Sequence, residues 1–178
     1  AENSDPAMLV NLTSQTGKDG NYGNIVYWFG PEPGELRNPS FTDFNPGIYN
    51  FDAIAYESIM LGFFTVHKGP ENDVCRKLGI PKRNEISVGY SRDGFHFYRP
   101  DNEIFIGVNE SGSAWNYGNV QSVAGMPVIM GDSLYFYNSG RRLNKIYNDS
   151  HISTGLSTLR RDGFVSMGSS GQEKYLVT

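Results

Sequence analysis

Glu57 is the only charge between Ile54 and His67, where it and Ser58 interrupt a largely apolar and aromatic run. A carboxyl set among Tyr56, Ile59 and Met60 is expected to be desolvated and to hold its proton, the state a general acid needs. The competing reading pairs Glu57 with an arginine in the core or on a loop. Tyr56, beside it, is a candidate ligand contact. A second group is Trp115-Asn116-Tyr117-Gly118-Asn119-Val120-Gln121. A flat aromatic face beside forked amide groups suits a ligand that offers both C–H surface and hydroxyls. Trp115, Asn116, Asn119 and Gln121 offer both at close spacing; the alternative is a core tryptophan beneath a polar turn. Arg141 and Arg142 follow a strand-like run, and either reaches into a cleft or solvates its rim. His67, His96 and His151 are scattered without an identifiable Ser or Cys partner, so a nucleophilic triad has no support. The lone Cys75 closes no intrachain bridge and, with no histidine cluster at ligand spacing, makes no metal site. No cofactor is expected.

Short strands must carry these groups. A strand-like run, a polar loop, a second such run and the turn Arg-Asp-Gly-Phe occur twice, from Leu61 to Phe95 and from Leu134 to Phe164, with Asp93 and Asp162 at 69 residues' separation. A unit recurring at a fixed period must bury its apolar face against neighbouring copies, which points to an all-β array of propeller type. Within each turn the aspartate is expected to bond nearby backbone N–H groups while the glycine takes a positive φ. The glycine-rich turn Gly17 to Gly23 contains a Lys-Asp-Gly that reads as a degenerate third copy; with no strand before it and no helix after it, it is no phosphate loop. Asn24–Phe29, Glu85–Tyr90 and Phe95–Tyr98 read as strands, Ile54–His67 as a strand pair or one long strand, and Val128–Asn138 as a hairpin about Gly131-Asp132. Pro31 to Pro46, with four prolines, reads as a surface loop, as do Lys68–Arg83 and Gly107–Gln121. Glycines interrupt every helical pattern, so no helix is expected.

At 178 residues the chain reads as a single all-β domain over residues 1–178. Aromatic content of 13% with 21 glycines fits strands joined by tight turns. A net charge of −4, with no basic run longer than two residues, leaves nothing to neutralise a phosphate backbone, so no nucleic-acid partner is expected. No apolar stretch approaches the roughly 20 residues of a membrane span. The N-terminus Ala1-Glu2-Asn3-Ser4-Asp5 has neither the basic nor the apolar part of a signal peptide. A soluble chain from which any signal has been removed is expected, secreted, periplasmic or at the cell surface. The sequons at Asn11, Asn109 and Asn148 are what an asparagine-rich chain produces by chance.

Residues 90 to 100, Tyr-Ser-Arg-Asp-Gly-Phe-His-Phe-Tyr-Arg-Pro, resemble the Ser-x-Asp-Gly-x-x-Trp blade motif of the five-bladed β-propeller glycosidases around glycoside hydrolase families 32 and 43. Ile48 to Ser58 and Trp115 to Ser122 resemble segments of bacterial glycosidases in that set, and the likeness covers most of residues 40 to 168. It implies antiparallel blades, action on carbohydrate, and Glu57 as the acid by position. Asp52 would then sit at the mouth of the same pocket, orienting a sugar hydroxyl or ending a turn. Phe97 replaces the usual motif tryptophan. Five blades need roughly twice this length, so the resemblance implies two to three blades from the C-terminal portion of a partial five-bladed propeller, with the nucleophile in a blade not present here. Uncovered blade faces would then favour homo-oligomers. The alternative is a non-catalytic carbohydrate-binding or interaction module.

Overall fold

The computed structural model describes residues 9–12, 25–144 and 149–165. The turn Gly17 to Gly23, the N-terminal Ala1 to Asp5 and Asn148 of the last sequon lie outside the described residues. The protein is mostly β. Strands β1 (Leu9–Leu12) and β2 (Ile25–Phe29) form an antiparallel pair. Among the described residues the main sheet has seven strands: β3 (Gly47–Tyr56), β4 (Ile59–His67), β5 (Asn84–Ser91), β6 (Asn119–Gln121), β7 (Val128–Met130), β8 (Ser133–Asn144) and β9 (Asp149–Arg160). β3, β4 and β5 are a meander, and β7, β8 and β9 are another.

β6 joins the two meanders. It runs antiparallel to β8 but parallel to β5, through the single pair Asn84 and Asn119. The sheet is therefore mixed, which corrects the expectation of purely antiparallel blades. The short loop strand β6 leaves the Trp115 segment in the direction of β5, and one residue of pairing suffices to make the junction parallel.

Alternation decides what lies on each face. Leu61 and Phe63 of β4, Ile86 of β5, Val120 of β6 and Leu134 and Phe136 of β8 point the same way and form one core with Tyr56. β4 and β8 are three strand spacings apart, about 14 Å in a flat sheet. Phe63 and Phe136 nevertheless meet at 5.5 Å between ring centroids, so the sheet curls about this face into a half-barrel. On the other face of β3 and β4, Ile48, Phe64 and Val66 pack with Phe29, Phe51 and Phe97. Gly62 makes this possible: a Cβ there would lie 2.6 Å from Phe51 and 2.7 Å from Phe97.

One helix departs from the sequence reading. α1 (Asn72–Leu78) occupies the loop between β4 and β5 and is closed by Gly79, whose left-handed φ of 67° lets its N–H donate to the Cys75 carbonyl. Seven residues are too few for the eleven-residue periodicity by which a helix is recognised.

Buried charges tie the loops to the sheet. Lys68, at the end of β4, is buried and donates to Glu85 Oε2 at 2.8 Å; Arg83 reaches Glu85 Oε1 at 3.1 Å and Glu110 at 2.8 Å. Arg99, also buried, pairs with Glu35 and Glu32 and lies over the Phe64 ring, which pins the proline-rich loop. Burial alone would raise the Glu85 pKa, but hydrogen bonds and charge from Lys68 and Arg83 outweigh it and hold the carboxyl below its usual range.

A carboxyl whose folded pKa is depressed stabilises the fold above its unfolded value, about 4.3, and the contribution is lost as pH falls through the folded value. Glu85→Gln leaves Lys68 buried without its countercharge, and is expected to cost about 3 kcal/mol in urea unfolding at pH 7. Between pH 5 and pH 3 the variant should lose less stability than the unmutated chain. Parallel curves for the two would show that Glu85 does not carry the acid dependence.

Candidate functional site

The curl brings the β3–β4 turn against the turn that follows β9. Glu57 in the first and Asp162 in the second have left-handed backbones, φ 49° and 60°, although neither is glycine. Such conformations persist only where surrounding contacts enforce them, and here the two turns hold each other. The Tyr56 hydroxyl donates to Asp162 Oδ1 at 2.7 Å and accepts the Asp162 N–H at 3.2 Å. Arg161 pairs with Glu57. Phe164 packs against Tyr56 and Phe105. Burial, then the hydrogen bond to Asp162, pushes the Tyr56 phenol up, so it stays protonated as the donor.

Beside this contact an open cavity of about 240 Å³ enters the core. Tyr56, Ile59, Leu61, Val88, Tyr90 and Phe164 form its largely apolar wall, with Asp162 also at its boundary. At the margin Tyr90 and Tyr98 are direct cross-strand partners, exchanging backbone hydrogen bonds of 2.9 and 2.8 Å. Their rings lie 6.1 Å apart at 38°, with Tyr98 62% exposed.

The turn between them explains the pairing. Asp93 Oδ1 accepts the N–H groups of Phe95 and His96 at 2.9 and 2.8 Å, its other oxygen meets His96 Nδ1 at 2.7 Å, and Gly94 takes φ 77°. The His96 side chain first, then these backbone donors, holds the Asp93 carboxyl well below the usual range. The second copy of the tetrapeptide has another task, since Asp162 turns its carboxylate to Tyr56.

The residues singled out from sequence fall in separate places. Tyr56 lies in the cavity wall and Glu57 above it. Glu57 is on an exposed turn, its side chain 58% accessible and paired with Arg161. The expected desolvation is therefore not met, because a two-residue turn carries the side chain out of the sheet. Asp52 lies on β3, where its Oδ2 accepts from Ser122 Oγ at 3.2 Å, the Val123 N–H at 3.5 Å and Asn50 Nδ2 at 3.4 Å. It anchors the loop after β6.

Asn119 and Gln121 lie toward the His67 end of the sheet, the far end of β4 from the Glu57 turn, with Asn119 about 26 Å from that turn at the strand rise. Asn119 donates to the Lys82 carbonyl and Gln121 accepts from Asn84. Asn116 donates to the Gly107 carbonyl, and Arg141 is exposed on β8. Trp115 lies across Gly140 of β8 and Gly155 of β9, the two glycines that give its ring room.

Tyr90, Tyr98, Arg161 and Phe164 were not singled out. The signal for the tyrosines was available: they flank the Ser91–Phe95 turn at the spacing an antiparallel return makes opposite. Among the described residues no three His, Cys, Asp or Glu side chains come together as metal ligands, and no helix is long and apolar enough to cross a membrane. The chain matches no protein-family model, no curated protein and no solved structure.

The seat of Trp115 is open to test. Gly155→Ala places a methyl against the indole and is expected to cost about 1–3 kcal/mol and to shift the tryptophan emission. Unchanged stability and emission would mean that Trp115 does not rest there.

Proposed function

We propose that this chain is a carbohydrate-binding module of partial-propeller type that acts without hydrolysing its ligand. The observation that carries the reading is the pair of exposed tyrosines, Tyr90 and Tyr98, beside an apolar cavity whose lining includes Asp162. A pyranose sets its C–H face on such rings. Asp162 and the Glu57–Arg161 pair supply the acceptors and donors its hydroxyls need.

The resemblance to the five-bladed glycosidases supplies the ligand class. The propeller reading is supported by two strand meanders, each followed by Arg-Asp-Gly-Phe after its third strand, with a single parallel pair joining them through β6. A protein directed at polysaccharide fits a secreted, periplasmic or cell-surface setting.

Hydrolysis needs two carboxyl groups roughly 5 to 9.5 Å apart across the scissile bond. Asp52 and Glu57 are five residues apart along an extended strand and its turn, about 16 Å at the strand rise, and Asp52 is engaged with Ser122 and Val123; of the carboxylates at the turn contact, Asp162 is engaged by the Tyr56 hydroxyl and Glu57 by Arg161. Binding without turnover is the better fit.

A panel of oligosaccharides titrated by calorimetry provides the test. Tyr98→Ala should weaken binding by up to about tenfold, with Trp115→Ala leaving it nearly unchanged. No binding by the unmutated chain would overturn the reading. Release of reducing sugar that disappears in Glu57→Gln would replace it with a glycosidase.

A further inference from the structure

β9 is a twelve-residue strand hydrogen-bonded to β8 on one edge. Among the described residues no strand pairs with its other edge. Edge strands in soluble proteins are usually blunted by proline, by charge or by a bulge. β9 has none of these between Ser150 and Leu159: it contains no proline or carboxylate there, no lysine or arginine, and its register with β8 is unbroken.

Its convex face carries large apolar side chains, alternating with threonines, where solvent would be expected. Ile152 is 71% and Leu156 51% exposed, and Tyr137 of β8, directly opposite Leu156, is exposed as well. The opposite face of β9 carries Ser153, Gly155 and Ser157, turned toward the concave side where Trp115 lies on Gly155.

We propose that this edge pairs with the same edge of a second copy of the chain, antiparallel about a two-fold axis through Thr154. Cross-strand partners must share a face, so in self-pairing only residues of like parity can lie opposite each other. An axis through Thr154 sets Ile152 opposite Leu156 of the second copy and Leu156 opposite its Ile152. Each exposed apolar side chain thereby gains an apolar cross-strand neighbour, and Tyr137 extends the strip on both sides.

A two-fold axis that relates two copies of one edge runs their strands antiparallel, the direction in which Ile152 and Leu156 meet each other. Main-chain hydrogen bonds supply the association and the apolar pairs fix its register. The sheets of the two copies become continuous, and each sugar-binding face proposed above is duplicated about the axis.

The experiment uses the full chain. Sedimentation equilibrium should give a dimer of the 19.8 kDa chain. Thr154→Lys, which sets two ammonium groups directly opposite at the axis, should return it to monomer with an unchanged circular dichroism spectrum. Thr154→Cys should form a disulfide-linked dimer on mild oxidation, whereas Thr158→Cys, opposite position 150 in this register, should not. Because the cysteine variants are read by cross-linking, the proposal stays testable if the lysine variant fails to fold. A unmutated chain that stays monomeric would overturn it, as it would if a further segment of the chain itself covered the edge. A dimer that withstands Thr154→Lys and leaves Thr154→Cys uncross-linked would overturn it too, placing the interface elsewhere.

Discussion

The architecture depends on one contact between two distant turns of a curled, open sheet. The strands wrapped about one face leave a mouth where the first hairpin of the sheet meets the turn after its last strand, and aromatic residues alone do not fix how those two turns meet. The Tyr56 hydroxyl does so, donating to the Asp162 carboxylate and accepting the Asp162 N–H. Because both hydrogen bonds go to one residue, they fix its backbone as well as its side chain, which is how a non-glycine residue comes to be held at φ 60°. The position of Phe164, and with it one wall of the cavity, follows from that geometry.

The same tetrapeptide, Arg-Asp-Gly-Phe, serves two ends. At Asp93 the carboxylate is spent locally, on the N–H groups of the next turn, and the result is a return strand that sets Tyr98 opposite Tyr90. At Asp162 it is spent on a tyrosine 106 residues earlier in the chain. One copy builds the aromatic platform and the other builds the wall beside it. Glycines play a parallel role elsewhere: Gly62 admits Phe97 over one face, and Gly140 and Gly155 admit Trp115 over the other.

Local features were legible in the sequence because local forces decide them. The hairpin about Gly131-Asp132, the β2 strand and the capping role of Asp93 depend on residues a few positions apart. The β3–β4 turn at Glu57 was half legible, as a strand pair or one long strand. What the sequence did not reveal is set by distance or by brevity. The parallel junction rests on one residue pair between Asn84 and Asn119, α1 is shorter than its own periodicity, and the exposure of Glu57 follows from a turn whose partner, Arg161, is 104 residues away. Trp115 read equally as a ligand contact and as a core tryptophan beneath a polar turn; its seat is set by two glycines on other strands.

A double-mutant cycle on the closing contact tests the central claim most directly. Tyr56→Phe removes the hydroxyl, Asp162→Gly removes the carboxylate while keeping the left-handed backbone accessible, and urea unfolding gives the coupling between them. A coupling of about 1.5–3 kcal/mol, the range for a hydrogen bond to a charged group, is the expected result. A coupling near zero would contradict the claim that this pair holds the two turns together.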